Sequence, residues 1–136
     1  SEDVGRGVAG NITDKYRGAE CWASSGMGPF NCKGDYISAG TNSINFLIHW
    51  DGDINRELLD GNHIYDAERE RRLLTAEGHS SNNGTKATPN LSADLFGDWR
   101  EEVIWRSNDN DKINHLILVT ICRKVLPNPI LYMQQN

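Results

Sequence analysis

The sequence predicts an all-β chain made of repeated, short-stranded units, and three observations predict it. No segment sustains twelve residues of the 3.6-residue apolar period that an amphipathic helix needs. The apolar runs are short and stop at clusters of Gly, Asn or Asp, the residues that favour turns. A turn–Glu–apolar-strand pattern also recurs. Gly52-Asp53-Ile54-Asn55-Arg56-Glu57-Leu58-Leu59 aligns without a gap on Gly97-Asp98-Trp99-Arg100-Glu101-Glu102-Val103-Ile104, 45 residues further on. A fainter copy, Gly18-Ala19-Glu20-Cys21-Trp22, places its Glu 37 residues before Glu57. Repeats of about 40–50 residues with four short strands each mark propeller blades. A chain of 136 residues holds about three such units, fewer than the roughly four to eight that close a ring. The expectation is therefore a β-propeller fragment.

In chain order, Ala19–Ala23, Asn45–Trp50, Glu57–Leu59, Arg72–Ala76 and Glu101–Arg106 read as strands, each bounded by turn residues. The stretch DAERERR at 66–72 reads as a solvated connection, because charge alone does not fix a helix. The texture changes near Asp111. All 19 acids lie at or before it, so residues 1–111 carry a net charge of −8 and residues 112–136 a net charge of +3. The tail KINHLILVTICRKVLPNPILYMQQN reads as one strand, Leu116 to Cys122, ending awkwardly at Pro127 and Pro129. Residues 1–111 are thus read as a partial propeller domain and 112–136 as a divergent C-terminal segment, one strand plus an irregular tail.

Composition excludes several classes. With 38% apolar residues the chain can form a core, which argues against disorder. Its apolar runs are far too short to span a bilayer as a helix, so no membrane is expected. A net charge of −5 argues against a nonspecific nucleic-acid binder, which needs a basic face. The opening SEDVGRGVAG has neither the basic region nor the apolar stretch of a signal peptide. Cys21, Cys32 and Cys122 are odd in number and lack metal-ligand spacing, so buried or half-buried free thiols are expected rather than a Cys21–Cys32 bridge.

The turns carry two acidic sets, Asp51, Asp53 and Glu57, then Asp94, Asp98 and Glu102. Ca²⁺ collects roughly six to eight oxygens, and an Asp-rich turn with a Glu entering the next strand can supply several of them. The same Asp residues can instead brace their turns through backbone hydrogen bonds. The first repeat offers a weaker set, Asn11, Asp14 and Glu20, at different spacing. The loop Ser80-Ser81-Asn82-Asn83-Gly84-Thr85-Lys86 is either a surface connection or a hydrogen-bonding surface for a hydroxylated or carboxylated ligand. In Gly5-Arg6-Gly7, flanking glycines let a ligand approach the backbone and the Arg fork suits a carboxylate. Trp22, Trp50, Trp99 and Trp105 are expected in the core, and the four His show no ligand spacing.

Together the segments GRGVAG (5–10), GAECWAS (18–24), WDGDINRELLDG (50–61) and LLTAEGHSSNNGTKATPNLSADLFGDWREEVIWR (73–106) resemble the rhamnogalacturonan lyases of polysaccharide lyase family eleven. The resemblance covers about residues 3–110 and implies roughly the last three blades of an eight-bladed propeller. It implies an extracellular pectin-degrading rhamnogalacturonan endolyase. Such an enzyme cleaves the rhamnose–galacturonate backbone of rhamnogalacturonan I by calcium-assisted β-elimination and acts as a monomer. It further implies Arg6 and Lys86 as catalytic residues, Asn83, Gly84 and Thr85 as sugar-binding residues, and Ca²⁺ at the turn acids. A guanidinium keeps its charge at any working pH, so Arg6 suits carboxylate clamping, while Lys86 is either the base, if burial or a nearby cation lowers its pKa, or a second electrostatic stabiliser, with the base favoured. Asn11 departs from the Asp common in related turns, which weakens ligation in the first repeat. The rival is a noncatalytic, calcium-stabilised propeller of the FG-GAP kind for adhesion or carbohydrate binding. Such a protein has no reason to carry NNGTK together with GRG.

Overall fold

A computed structural model describes residues 5–24, 27–37 and 44–109, and the backbone of 115–118. Ten strands occur among them: β1 Gly7–Gly10, β2 Glu20–Ala23, β3 Phe46–Ile48, β4 Glu57–Asp60, β5 His63–Asp66, β6 Arg71–Thr75, β7 His79–Ser80, β8 Leu91–Ala93, β9 Glu102–Ser107 and β10 His115–Leu118. The described residues contain no helix, so the all-β expectation holds. The strands form three antiparallel sheets in chain order. β1 pairs with β2, and single bridges from Cys21 to Phe30 and from Phe30 to Tyr36 extend that pair. β3-β4-β5-β6 is a four-stranded meander. In the third sheet β9 is central, with β10 paired to it and β7 and β8 each pairing a different stretch of it.

The middle sheet is covered on both faces, which explains the unbroken apolar runs of β3 and β4. Successive strand residues point to opposite faces. Leu58 accordingly packs with Ile12, Trp22 and Ala67 toward the first sheet, while Leu59 packs with Val103 and Trp105 toward the third. Leu47 and Ile48 divide in the same way. Trp22, Trp50 and Trp105 are buried as expected, and Trp105 donates its indole N–H to the Gly61 carbonyl at 2.8 Å.

The repeats join by a shared backbone link. The residue before the repeat Glu donates its N–H to the preceding repeat: Arg56 to the Asn11 carbonyl and Glu101 to the His49 carbonyl, both at 2.7 Å.

Three expectations need correction. DAERERR is not wholly solvated. Asp66 ends β5 and is buried, Ala67 is buried against the first sheet, and Arg71 begins β6. Cys21 and Cys32 are free thiols but exposed rather than buried: Cys21 is at an outward position of β2, and Cys32 lies in a turn where its thiol donates to the Arg17 carbonyl. Trp99 is only half-buried, at a turn with φ +73° rather than in a strand, edge-on to His49. Of the strand expected at Leu116 to Cys122, the described backbone spans His115–Leu118, and residues 119–122 lie outside the described residues. That strand pairs with β9, so the third sheet continues across residue 111.

Candidate active site

Arg6 leads into β1, and Lys86 lies in the loop between β7 and β8, 80 residues away. The fold joins them. An Arg6 Nη1 N–H donates to the Lys86 carbonyl at 3.1 Å and lies 3.2 Å from Asn45 Oδ1. The guanidinium carbon stands 5.4 Å from the centre of the Phe46 ring, in range of a cation–π contact. Asn45 in turn donates to Asp60 Oδ1 at 2.8 Å, so the Arg is held by Asn45 and Phe46 at the start of β3 and by the Lys86 carbonyl of the β7–β8 loop.

The loop supplies its own frame. Asn83 Oδ1 accepts the Lys86 N–H at 2.8 Å, an Asx-type turn that presents Lys86 outward. Ser81 Oγ donates to the Asn83 carbonyl at 2.8 Å, and Asn82 N–H to the Thr88 carbonyl at 2.8 Å. Asn83, Gly84, Thr85 and Lys86 are exposed, and a Cβ added to Gly84 would meet open space. Ala87, next to Lys86, is buried and takes φ +48°, a conformation that costs a non-Gly residue about 1–2 kcal/mol. The strain sits beside the candidate base, as it often does at functional sites.

The acids divide into three cases. Asp51, Asp53 and Glu57 come together, each offering an oxygen within 4.8 Å of the others. Asp51 Oδ1 accepts the Asp53 N–H, Asp53 Oδ1 accepts the Asn55 N–H, and Glu57 Oε2 accepts the Trp50 N–H. Burial and the neighbouring Asp51 charge push the Glu57 carboxyl up to about 8, and burial pushes Asp51 up as well. Arg69 Nη1 lies 3.1 Å from Asp53, 2.8 Å from Asp66 and 3.9 Å from Asp51. Burial alone would push Asp66 up, but hydrogen bonds from Arg69 outweigh it and hold Asp66 low. The carboxylate oxygens of Asp51, Asp53 and Glu57 are the hard donor type that Ca²⁺ takes, and the Arg69 guanidinium is the positive charge that stands beside them.

Asp94, Asp98 and Glu102 do not form such a group among the described residues. Asp94 accepts the N–H groups of Gly97, Asp98 and Trp99, Asp98 pairs with Arg100, and Glu102 accepts the Leu95 N–H at 2.7 Å. This turn is braced through its backbone. In the first repeat, Asn11 donates to Asn55 Oδ1 at 2.7 Å and the buried Glu20 accepts the Ile12 N–H at 2.9 Å. Asp14 is exposed there.

A family model described as the C-terminal domain of rhamnogalacturonan lyase family 11 matches residues 1–125. The chain belongs to that family. The match runs past residue 110, where the resemblance was expected to end. Over 117 residues the chain is 49% identical to the rhamnogalacturonan endolyase YesW of Bacillus subtilis (strain 168), covering 82% of this chain and 18% of the relative. It is 44% identical over 131 residues to the rhamnogalacturonan exolyase YesX of the same organism, covering 82% and 21%. The solved Bacillus licheniformis family 11 lyase superposes with a TM-score of 0.75 at 50% identity, over 88% of this chain and 20% of that one. The chain thus spans about a fifth of the length of these relatives.

Residue-by-residue reading missed Arg69 and Asn45. Arg69 fell in the stretch read as solvated, although an Arg three residues after Asp66 can turn back to pair with it. Asn45 carried no signal, because its role depends on a sheet bringing it under Arg6. An apolar recess of about 360 Å³ between Val8, Trp22, Met27 and Phe30 contains none of the predicted site residues.

Proposed function

We propose that this chain supplies one wall of the cleft of a rhamnogalacturonan lyase that cleaves rhamnogalacturonan I by β-elimination. The single observation that carries the reading is the hydrogen bond from Arg6 to the Lys86 carbonyl, which unites two motifs 80 residues apart. The family membership and the lyase names of the relatives support it. Both an endolyase and an exolyase occur among them, and one elimination serves either mode.

The chemistry follows from the residue types. The uronate carboxylate is clamped by the Arg6 fork, which is held toward the loop by Asn45 and the Lys86 carbonyl. With charge on the carboxylate compensated, the C5 proton becomes removable, and the Lys86 amine takes it. The C5–H electron pair forms the C4–C5 double bond, the bond from C4 to the rhamnosyl oxygen breaks, and that oxygen leaves and picks up a proton. One product carries an unsaturated galacturonate end. Exposed Asn83, Gly84 and Thr85 offer hydrogen bonds to sugar hydroxyls along the same loop. Asp51, Asp53 and Glu57 would hold Ca²⁺, which when bound supplies positive charge at the turn. Stacked sheets whose repeats link in one register support a propeller of which these are consecutive blades. A polymer of this size is degraded outside the cell, so the protein is read as secreted.

The test grafts residues 1–125 onto the matching fifth of the Bacillus subtilis endolyase and substitutes Lys86→Ala and Arg6→Ala singly. The expected outcome is a folded chimera with cleavage lowered by about 10²-fold or more in each variant. Unchanged cleavage in either variant removes that residue from the mechanism.

A further inference from the structure

The contacts of Arg6 fix which part of its fork is left for a ligand. Nη1 carries two hydrogens, and it has two protein acceptors, Asn45 Oδ1 at 3.2 Å and the Lys86 carbonyl at 3.1 Å. Among the described residues Nε and Nη2 donate to no protein acceptor. The Nε–Nη2 edge, a pair of parallel N–H groups, is therefore the edge that can take a carboxylate through two bonds.

Asn45 is itself oriented. Phe46 pairs with Leu59 in the β3–β4 register, so the next residues along, Asn45 and Asp60, stand opposite one another. Asn45 Nδ2 donates to Asp60 Oδ1 at 2.8 Å, and a carboxylate accepts only from the NH₂ side of an amide. The amide oxygen is thereby turned to Arg6. This acceptor is neutral. Among the described residues every ion pair is made by Arg69, Arg71 or Arg100, and none by Arg6. Arg6 is thus steered by a dipole, and its charge is kept for an anionic ligand.

We propose that Asn45, oriented by Asp60, is a positioning residue that takes up Nη1 and turns the Nε–Nη2 edge of Arg6 toward the substrate carboxylate. This role rests on the reading of Arg6 as the carboxylate clamp. Asn45 and Asp60 sit at one end of the paired strands β3 and β4 rather than in a long loop, so the fork takes its aim from a sheet. A carboxylate in place of the Asn45 amide would hold Arg6 as firmly but would cancel its charge.

For the test, kcat and KM for rhamnogalacturonan are measured in the chimera as wild type, Arg6→Ala, Asn45→Ala and the double exchange Asn45→Asp with Asp60→Asn. Thermal midpoints are taken for each. The double exchange keeps side-chain size and a donor–acceptor pair across the strands, so a merely structural role predicts wild-type kinetics. The expected result is a KM raised about tenfold or more in the double exchange, where Arg6 faces a carboxylate, and in Asn45→Ala, where the fork is loose. A wild-type KM in the double exchange would overturn the proposal, as would a lower kcat at unchanged KM in Asn45→Ala. If Arg6→Ala abolishes cleavage in either case, the clamp stands and only the role of Asn45 falls. Unchanged cleavage in Arg6→Ala removes the clamp and the proposal together.

Discussion

Each of the three repeat glutamates spends one oxygen on the same task, closing its own turn onto a backbone N–H seven or eight residues back. What differs is the company of the other oxygen. Glu57 sits among Asp51 and Asp53, and burial with that crowding raises its carboxyl from 4.5 to about 8. Between those values the folded chain holds a proton that the unfolded chain has released. Without metal, stability therefore falls as pH rises from about 4.5 to about 8, by on the order of 3–5 kcal/mol if Glu57 acts alone. Calcium should flatten that slope by favouring the charged carboxylate. Urea unfolding at several pH values, in chelator and in calcium, measures both, and a chelator slope of opposite sign would remove Glu57 as the cause. At this scale the sequence was partly legible. Asp-x-x-x-Glu spacing identified the acids that gather. It could not separate them from Asp94 and Asp98, because their carboxylates are taken by Gly97, Asp98 and Trp99 N–H groups and by Arg100.

Single strands are two-faced here, and β4 shows it best. Leu58 serves one cluster and Leu59 the other, so the strand that reads as an undivided apolar run is the partition between two cores. Leu59→Ala should cost about 2–5 kcal/mol, since its site is fully enclosed. Arg72→Ala, at an exposed position of β6, should change stability by less than about 0.5 kcal/mol. Denaturant titration of the two variants separates them, and equal losses would mean that β4 is not the partition. Strands rich in Leu, Ile, Val and Trp were readable from composition. β1 was not, because Gly-Val-Ala-Gly has weak strand propensity and forms through pairing with β2. β5 was readable in principle: Gly61-Asn62 is a two-residue hairpin loop with Gly61 at φ +55°, but His63 and Tyr65 broke the apolar pattern around it.

On the scale of the whole molecule, the repeats matter because they bring distant motifs together. Stacking three sheets through one recurring backbone link carries Arg6 of the first unit to the β7–β8 loop and Lys86. No local spacing reveals that proximity; it was legible only through the family resemblance. The 66–72 turn works in the same way, since its burial against the first sheet depends on the stacking of units. The central claim is that this assembly serves elimination rather than hydrolysis or plain binding. The most direct measurement follows rhamnogalacturonan incubated with the chimera by ultraviolet absorbance, with reducing ends counted in parallel. The account predicts absorbance from a C4–C5 unsaturated uronate rising in step with new ends, and neither rising with Lys86→Ala. New ends without absorbance would mean hydrolysis and would contradict it.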